Sequence, residues 1–173
     1  MAKVRRAVAY RTIERPYTRT SKYRNKQFVR AKPHNKIVKF VMGNTKKEFL
    51  YTVMLKAKDT LQIRHQALES ARLTSNRLLE SKCGKQSYKL LIKPYPHHIL
   101  RENPLAAGAG ADRMSTGMQK AFGKPVGLAA QIKKGQILIE VSVDEAHIET
   151  ARKAMNRAKH KFACSCSIEV KKN

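Results

Sequence analysis

Of the first 36 residues, twelve are basic (Lys3, Arg5, Arg6, Arg11, Arg15, Arg19, Lys22, Arg24, Lys26, Arg30, Lys32 and Lys36) and one, Glu14, is acidic. There is almost no aliphatic core material among them. Such a stretch repels itself and buries too little apolar surface to offset its chain entropy. Any core must therefore come from residues 37–173, and 1–36 reads as an extended basic N-terminal segment that a polyanion would order. Tyr10, Tyr17 and Tyr23 recur through it. Guanidinium forks and phenol rings suit phosphate and base contacts, a mixture that a solubility tail does not need. The candidate nucleic-acid contacts are Arg5, Arg6, Arg11, Arg15, Tyr17, Arg19, Lys22, Arg24, Lys26, Arg30 and Lys32.

The remainder is cationic too. The 173 residues hold 37 Lys and Arg against 12 Asp and Glu, a formal net charge of +25. Nucleic acid is the partner such a charge implies. No segment approaches the roughly 20 apolar residues of a spanning helix, and the start carries no signal-peptide core, so no membrane partner is expected. The length suits one domain, 37–173, beside the extension. The three cysteines, Cys83, Cys164 and Cys166, lack a C-x-x-C pair and point to a reducing compartment without a disulfide framework.

Hydrophobic periodicity gives the body its elements. Ile37, Val38, Phe40 and Val41 suggest a short strand ending at Gly43-Asn44. Glu48–Lys56 alternates as a strand. Asp59-Thr60 offers an N-cap for a helix to about Lys82, with Ile63, Ala67, Leu68, Ala71, Leu78 and Leu79 on one stripe and Cys83-Gly84 as its stop. Gln86–Lys93 alternates; Pro94 and Pro96 bend the chain, and His97–Leu100 continues extended. His97 and His98 would face opposite ways, one buried or stacked and one facing RNA or solvent. After the 101–125 region, Val126–Ile132, a turn at Lys133-Lys134-Gly135 and Gln136–Val143 read as strand, turn and strand. Asp144 would cap a helix to about Lys161, and Phe162–Val170 closes the chain as a strand with Phe162, Cys164, Cys166, Ile168 and Val170 on one face. Strand–helix–strand thus occurs twice. The expected fold is α+β: a two-layer sandwich with two main helices on one face of a single mixed sheet.

Residues 101–125 fit no element. Gly108, Gly110, Gly117 and Gly123 punctuate them, and Arg101, Arg113, Lys120 and Lys124 are their only bases. A long Gly/Ala loop of this kind inside a domain points to function; only Met114–Phe122 suggests a short helix. Gly108-x-Gly110 has Arg113 where a dinucleotide fingerprint needs its third glycine. Gly117 to Gly123-Lys124-Pro125 has the wrong spacing and ending for a phosphate loop. The cysteines alternate on an apolar strand face and read as small core residues. Glu102 and Asp112 read as loop-ordering partners of Arg101 and Arg113. No nucleophile–base arrangement follows from spacing. No enzymatic activity, cofactor, metal or small-molecule substrate is expected.

The run Ala109-Gly110-Ala111-Asp112-Arg113-Met114-Ser115-Thr116-Gly117-Met118-Gln119-Lys120-Ala121-Phe122-Gly123-Lys124-Pro125 resembles the signature of the QM family of large-subunit ribosomal proteins. Arg15-Pro16-Tyr17, Leu68-Glu69-Ser70-Ala71-Arg72 and Lys82-Cys83-Gly84-Lys85 carry the resemblance along nearly the whole chain. Ending soon after its last strand, it is most similar to archaeal members. The resemblance implies a cytoplasmic ribosomal protein whose partners are large-subunit ribosomal RNAs, neighbouring ribosomal proteins and tRNA. It also implies a loop that reaches towards the peptidyl-transferase centre, with Arg101, Gly108, Gly110, Asp112, Arg113, Lys120 and Lys124 as the tRNA-facing residues. A sparsely charged Gly/Ala loop suits a tRNA that must be released. The rival readings are an RNA chaperone or RNA-modification factor off the ribosome, and a DNA-compacting protein.

Overall fold

The computed structural model describes residues 4–18, 21–103 and 117–173. Its elements run β1 (Val41–Gly43), β2 (Tyr51–Ala57), β3 (Leu61–Arg64), α1 (His65–Cys83), β4 (Tyr88–Ile92), β5 (His98–Glu102), β6 (Lys124–Ile132), β7 (Ile137–Val143), α2 (Ile148–Lys159) and β8 (Cys166–Lys172). The α+β class is as the periodicity indicates. The strands divide between two sheets, however, a five-stranded one in the order β1-β4-β7-β2-β8 and a three-stranded one in the order β3-β6-β5. Every described pairing is antiparallel, where the sequence suggests one mixed sheet.

The five-stranded sheet buries one face. Val53, Leu55, Leu90, Val141 and Val143 are fully buried, alternating with half-exposed residues. Leu68, Ala71 and Leu79 of α1 and Ala151, Ala154, Met155 and Ala158 of α2 pack on that face as one cluster. Removing this apolar surface from water stabilises the fold. Leu61, Ile63, Ala130 and Ile132 of the small sheet join the same cluster, so both sheets share a core.

The second sheet exists because residues 61–64 are a strand and not the first turn of α1. Leu61 and Ile63 face the core while Gln62 and Arg64 face away, a period of two. All four residues pair with β6, Leu61 opposite Ile132 and Ile63 opposite Ala130. The expected caps serve other loops: Asp59 accepts the Ser165 N–H and Thr60 Oγ1 accepts the Lys134 N–H. Asp144 likewise makes no side-chain cap; its carboxylate binds Lys47 Nζ at 2.6 Å, and a 3-10 turn, Glu145–His147, precedes α2. The last strand starts at Cys166 and not Phe162, and Phe162 enters the core from the preceding turn. The stop of α1 is as read: Gly84 has φ +78° and its N–H reaches the Glu80 carbonyl. Among the described residues no helix is long and apolar enough to cross a membrane.

Candidate nucleic-acid interface

β5 and β6 are the strands that flank the long loop. They pair antiparallel, with Arg101 opposite Pro125 and Glu102 opposite Lys124, so the loop is the connection of a hairpin whose base is closed. The register shifts between Leu100 and Arg101, an irregularity of the kind that re-aims side chains beside functional sites. Just inside the base, Lys120 and Ala121 form a turn in which the Phe122 N–H donates to the Gln119 carbonyl; residues 117–122 are not helical, and Met114–Thr116, where the suggested short helix would begin, lie outside the described residues. Gly117 and Gly123 take φ +77° and +89°, and Lys120 takes φ +48°.

The N-terminal segment lies across the outer face of the small sheet. The Gln62 N–H reaches the Arg11 carbonyl, and Gln62 Nε2 donates to the carbonyls of Tyr10 and Thr12. Gln131 Nε2 reaches the Glu14 carbonyl at 2.8 Å, and Arg64 donates to the Arg5 carbonyl. At β5 the Tyr17 N–H donates to His98 Nδ1 at 2.9 Å, and the Ile99 N–H donates to the Tyr17 carbonyl. Tyr10 is buried against Leu100 and Ala129. This explains why Gln62, on the face away from the main core, is also buried.

Arg101 joins this arm to the loop. Its guanidinium lies 3.7 Å from the centre of the Tyr17 ring and donates to the carbonyls of Lys120 at 2.9 Å and Phe122 at 2.6 Å. Tyr17 is itself fixed by a 2.6 Å hydrogen bond from its hydroxyl to the Phe28 carbonyl. One residue on, Glu102 accepts the Tyr10 hydroxyl proton at 2.6 Å and pairs with Arg5 at 3.1 Å. Glu102 thus orders the arm through Arg5, not Arg101 as the sequence suggests. Burial pushes the Tyr10 hydroxyl above its ordinary value. Adjoining hollows of about 240 and 300 Å³ flank Arg101, sharing Glu14, His98 and Arg101 in their walls.

The arm sends its backbone and two tyrosines inward and its charge outward. Arg5, Arg6, Arg11, Arg15, Lys22, Arg24, Lys26, Arg30 and Lys32 are all exposed. Lys22 and Lys26 sit over the exposed Tyr23 ring. Arg19, Gly108, Gly110, Asp112 and Arg113 lie outside the described residues, as do residues 109–116 of the signature run. Cys164 and Cys166 bring their sulfurs to 3.6 Å as free thiols, Cys166 buried and Cys164 half-buried. Among the described residues no three His, Cys, Asp or Glu side chains converge as a metal site would need.

Residues 15–169 match the family model described as ribosomal protein L16p/L10e. The chain belongs to the ribosomal protein L16p/L10e family. It is 47% identical to the large ribosomal subunit protein uL16 of Methanococcus maripaludis over 169 residues, 98% of this chain and 95% of that one. The protein of the same name from Archaeoglobus fulgidus is 43% identical over 163 residues, covering 94% and 90% of the two chains. That from Staphylothermus marinus is 45% identical over 156 residues, covering 90% and 86%. These relatives are ribosomal proteins and not enzymes.

In this L16p/L10e chain the clamp that holds the arm leaves little local trace in the sequence. Gln62 and Gln131 look unremarkable in the sequence, and nothing local links Tyr10, His98 and Glu102 to one another. The alternation of Leu61-Gln62-Ile63-Arg64 is the available signal for a strand with two buried faces, and it is too short to compete with the helical stripe that follows.

Proposed function

We propose that this protein is held on large-subunit ribosomal RNA by the outward cations of its N-terminal arm and presents the 101–125 loop to tRNA near the peptidyl-transferase centre. As a family member it is a structural constituent of the large subunit in the cytoplasmic ribosome, with ribosomal RNA and neighbouring ribosomal proteins as partners. The observation that carries the finer reading is the contact of Arg101 with Tyr17. One guanidinium ties the base of the loop to the arm, so whatever orders the arm also orients the loop. The arm's exposed arginines and lysines suit phosphates, each contact adding affinity and salt dependence. The loop carries few such charges, which suits a ligand that must leave.

The test is reconstitution of large subunits with residues 103–111 replaced by a two-residue linker. The closed hairpin base should keep the body folded and bound. Peptide-bond formation and aminoacyl-tRNA occupancy should both fall. Full activity with normal tRNA affinity would reduce the loop to a connector and leave RNA scaffolding alone.

A further inference from the structure

Between β4 and β5 the chain runs Lys93-Pro94-Tyr95-Pro96-His97, and burial alternates strictly along it. Pro94, Pro96 and His98 are buried, while Lys93, Tyr95 and His97 are exposed. The prolines fix φ and have no N–H to satisfy, so two inward rings hold two outward aromatic rings on one side at little entropic cost. Phe40 is brought alongside by the hydrogen bond from the Ile92 N–H to its carbonyl, at 2.9 Å. The result is a row. Phe40 and Tyr95 stack with centroids 5.3 Å apart and planes 23° apart, and Tyr95 and His97 lie 4.6 Å apart at 45°. Lys32 Nζ stands 5.8 Å from the Tyr95 centroid.

We propose that Tyr95 and His97, backed by Phe40, form a stacking platform for an unpaired nucleobase of ribosomal RNA. Such bases are recognised by aromatic faces with cations nearby for the adjoining phosphates. An aromatic row left open to water on a protein of net charge +25 suits a polyanion that carries flat rings. Tyr95 remains 42% exposed even with Phe40 behind it, and His97 at the end of the row can take one more layer. Lys32 stands over the Tyr95 ring, and the exposed Lys93, two residues before Tyr95, pairs with Glu140 at 2.9 Å. This inference rests on the RNA-binding reading above but concerns a site away from the loop and its Arg101 clamp.

Two measurements test it. The first uses a single-stranded RNA carrying 2-aminopurine, whose fluorescence is quenched on stacking, at about 0.5 M salt to weaken phosphate contacts. The whole protein should quench it. The double variant Tyr95→Leu with His97→Ala should bind about tenfold more weakly, while Tyr95→Phe with His97→Phe should bind like the original. Both changes lie on the surface, and an unchanged circular dichroism spectrum would show that the fold is kept. The second uses large subunits reconstituted with each variant and a 2′-hydroxyl acylating reagent. One or two unpaired nucleotides should become more reactive with the Leu/Ala protein and not with the Phe/Phe protein. Equal quenching by all three proteins, or unaltered reactivity in subunits that take up the Leu/Ala variant normally, overturns the platform and leaves the arm-and-loop reading standing. Loss of a neighbouring ribosomal protein in place of a nucleotide change overturns it as well. If the unaltered protein failed to enter subunits, the underlying reading would fall, and the quenching comparison would decide the platform by itself.

Discussion

Two buried histidines fasten the N-terminal segment through the same atom. His98 Nδ1 accepts the Tyr17 N–H, and His65 Nδ1 accepts the Lys36 N–H at 3.2 Å. Both roles require a neutral ring. Burial holds His98 below the ordinary value of 6.5; Glu14 opposes this and Arg101 adds to it. Burial likewise lowers His65, with Lys36, Arg64 and His34 adding to it. The unfolded chain therefore binds protons that the folded one refuses, so this contribution is present above about pH 6.5 and is lost as pH falls towards the folded values. The Tyr17 and Lys36 amides should exchange faster below about pH 6, after correction for intrinsic rates, before amides of β2 or β7 do. His98→Gln, which keeps an acceptor without a titration, should remove the effect at Tyr17. The glycines give a second residue-scale contrast. A Cβ on Gly123 would lie 2.5 Å from Met118 Cε and 3.3 Å from Arg101 Cβ, whereas one on Gly84 meets nothing within 4 Å. Both sit at positive φ, so each Ala variant should lose about 1–3 kcal/mol of backbone preference. Gly123→Ala should lose more and disturb the Arg101 contacts, which denaturant melts and the Tyr17 environment would report. Cys166→Ala should cost roughly 1 kcal/mol in lost packing, and Cys164→Ala less because it is half-buried.

At the scale of elements, the arm is more than a tail. Tyr10 is 7% exposed and covers Leu100 and Ala129, and the side chains of Gln62 and Gln131 are spanned by the arm's carbonyls. Tyr10→Ala should destabilise the protein by about 3–5 kcal/mol, the range for a large buried aromatic ring. Deleting residues 1–18 should lower the melting temperature and expose new apolar surface, measurable by dye binding. The same deletion should flatten the salt dependence of ribosomal RNA binding, since fewer counterions are released. An unchanged salt slope would exclude those cations from phosphate contact. The β5–β6 hairpin explains how a long loop is carried without loosening the body. Its ends are fixed by paired strands on one side and by the arm on the other.

At the scale of the molecule, a net charge of +25 sets the folded state against itself. The isolated protein should melt at a higher temperature as salt rises, and higher still with a bound polyanion, which stabilises the state it binds. A melting temperature that did not depend on salt would mean that the charges are spaced widely enough to ignore one another. The two sheets sharing one core give the rigid body. The arm's cations are exposed on its periphery.

The α+β class, most of the strands, both helices and the cationic arm were legible in the sequence. Each depends on local periodicity or on charge density, and neither needs a partner far along the chain. The 101–125 region stands out in the sequence as a Gly/Ala run without periodicity, but its edges do not: Arg101 and Glu102 belong to β5, and Lys124 and Pro125 to β6. What the tertiary structure decided is which distant groups meet. Residues 61–64 become a strand because β6, more than sixty positions later, supplies their hydrogen bonds, an energy that local helix propensity cannot register. Asp59, Thr60 and Asp144 give up their expected caps to Ser165, Lys134 and Lys47 for the same reason. Arg101 could be read as a loop cation, but its stacking on Tyr17 follows only once the arm has crossed the small sheet. Burial, not sequence neighbourhood, makes His98 an acceptor and Tyr10 a core residue.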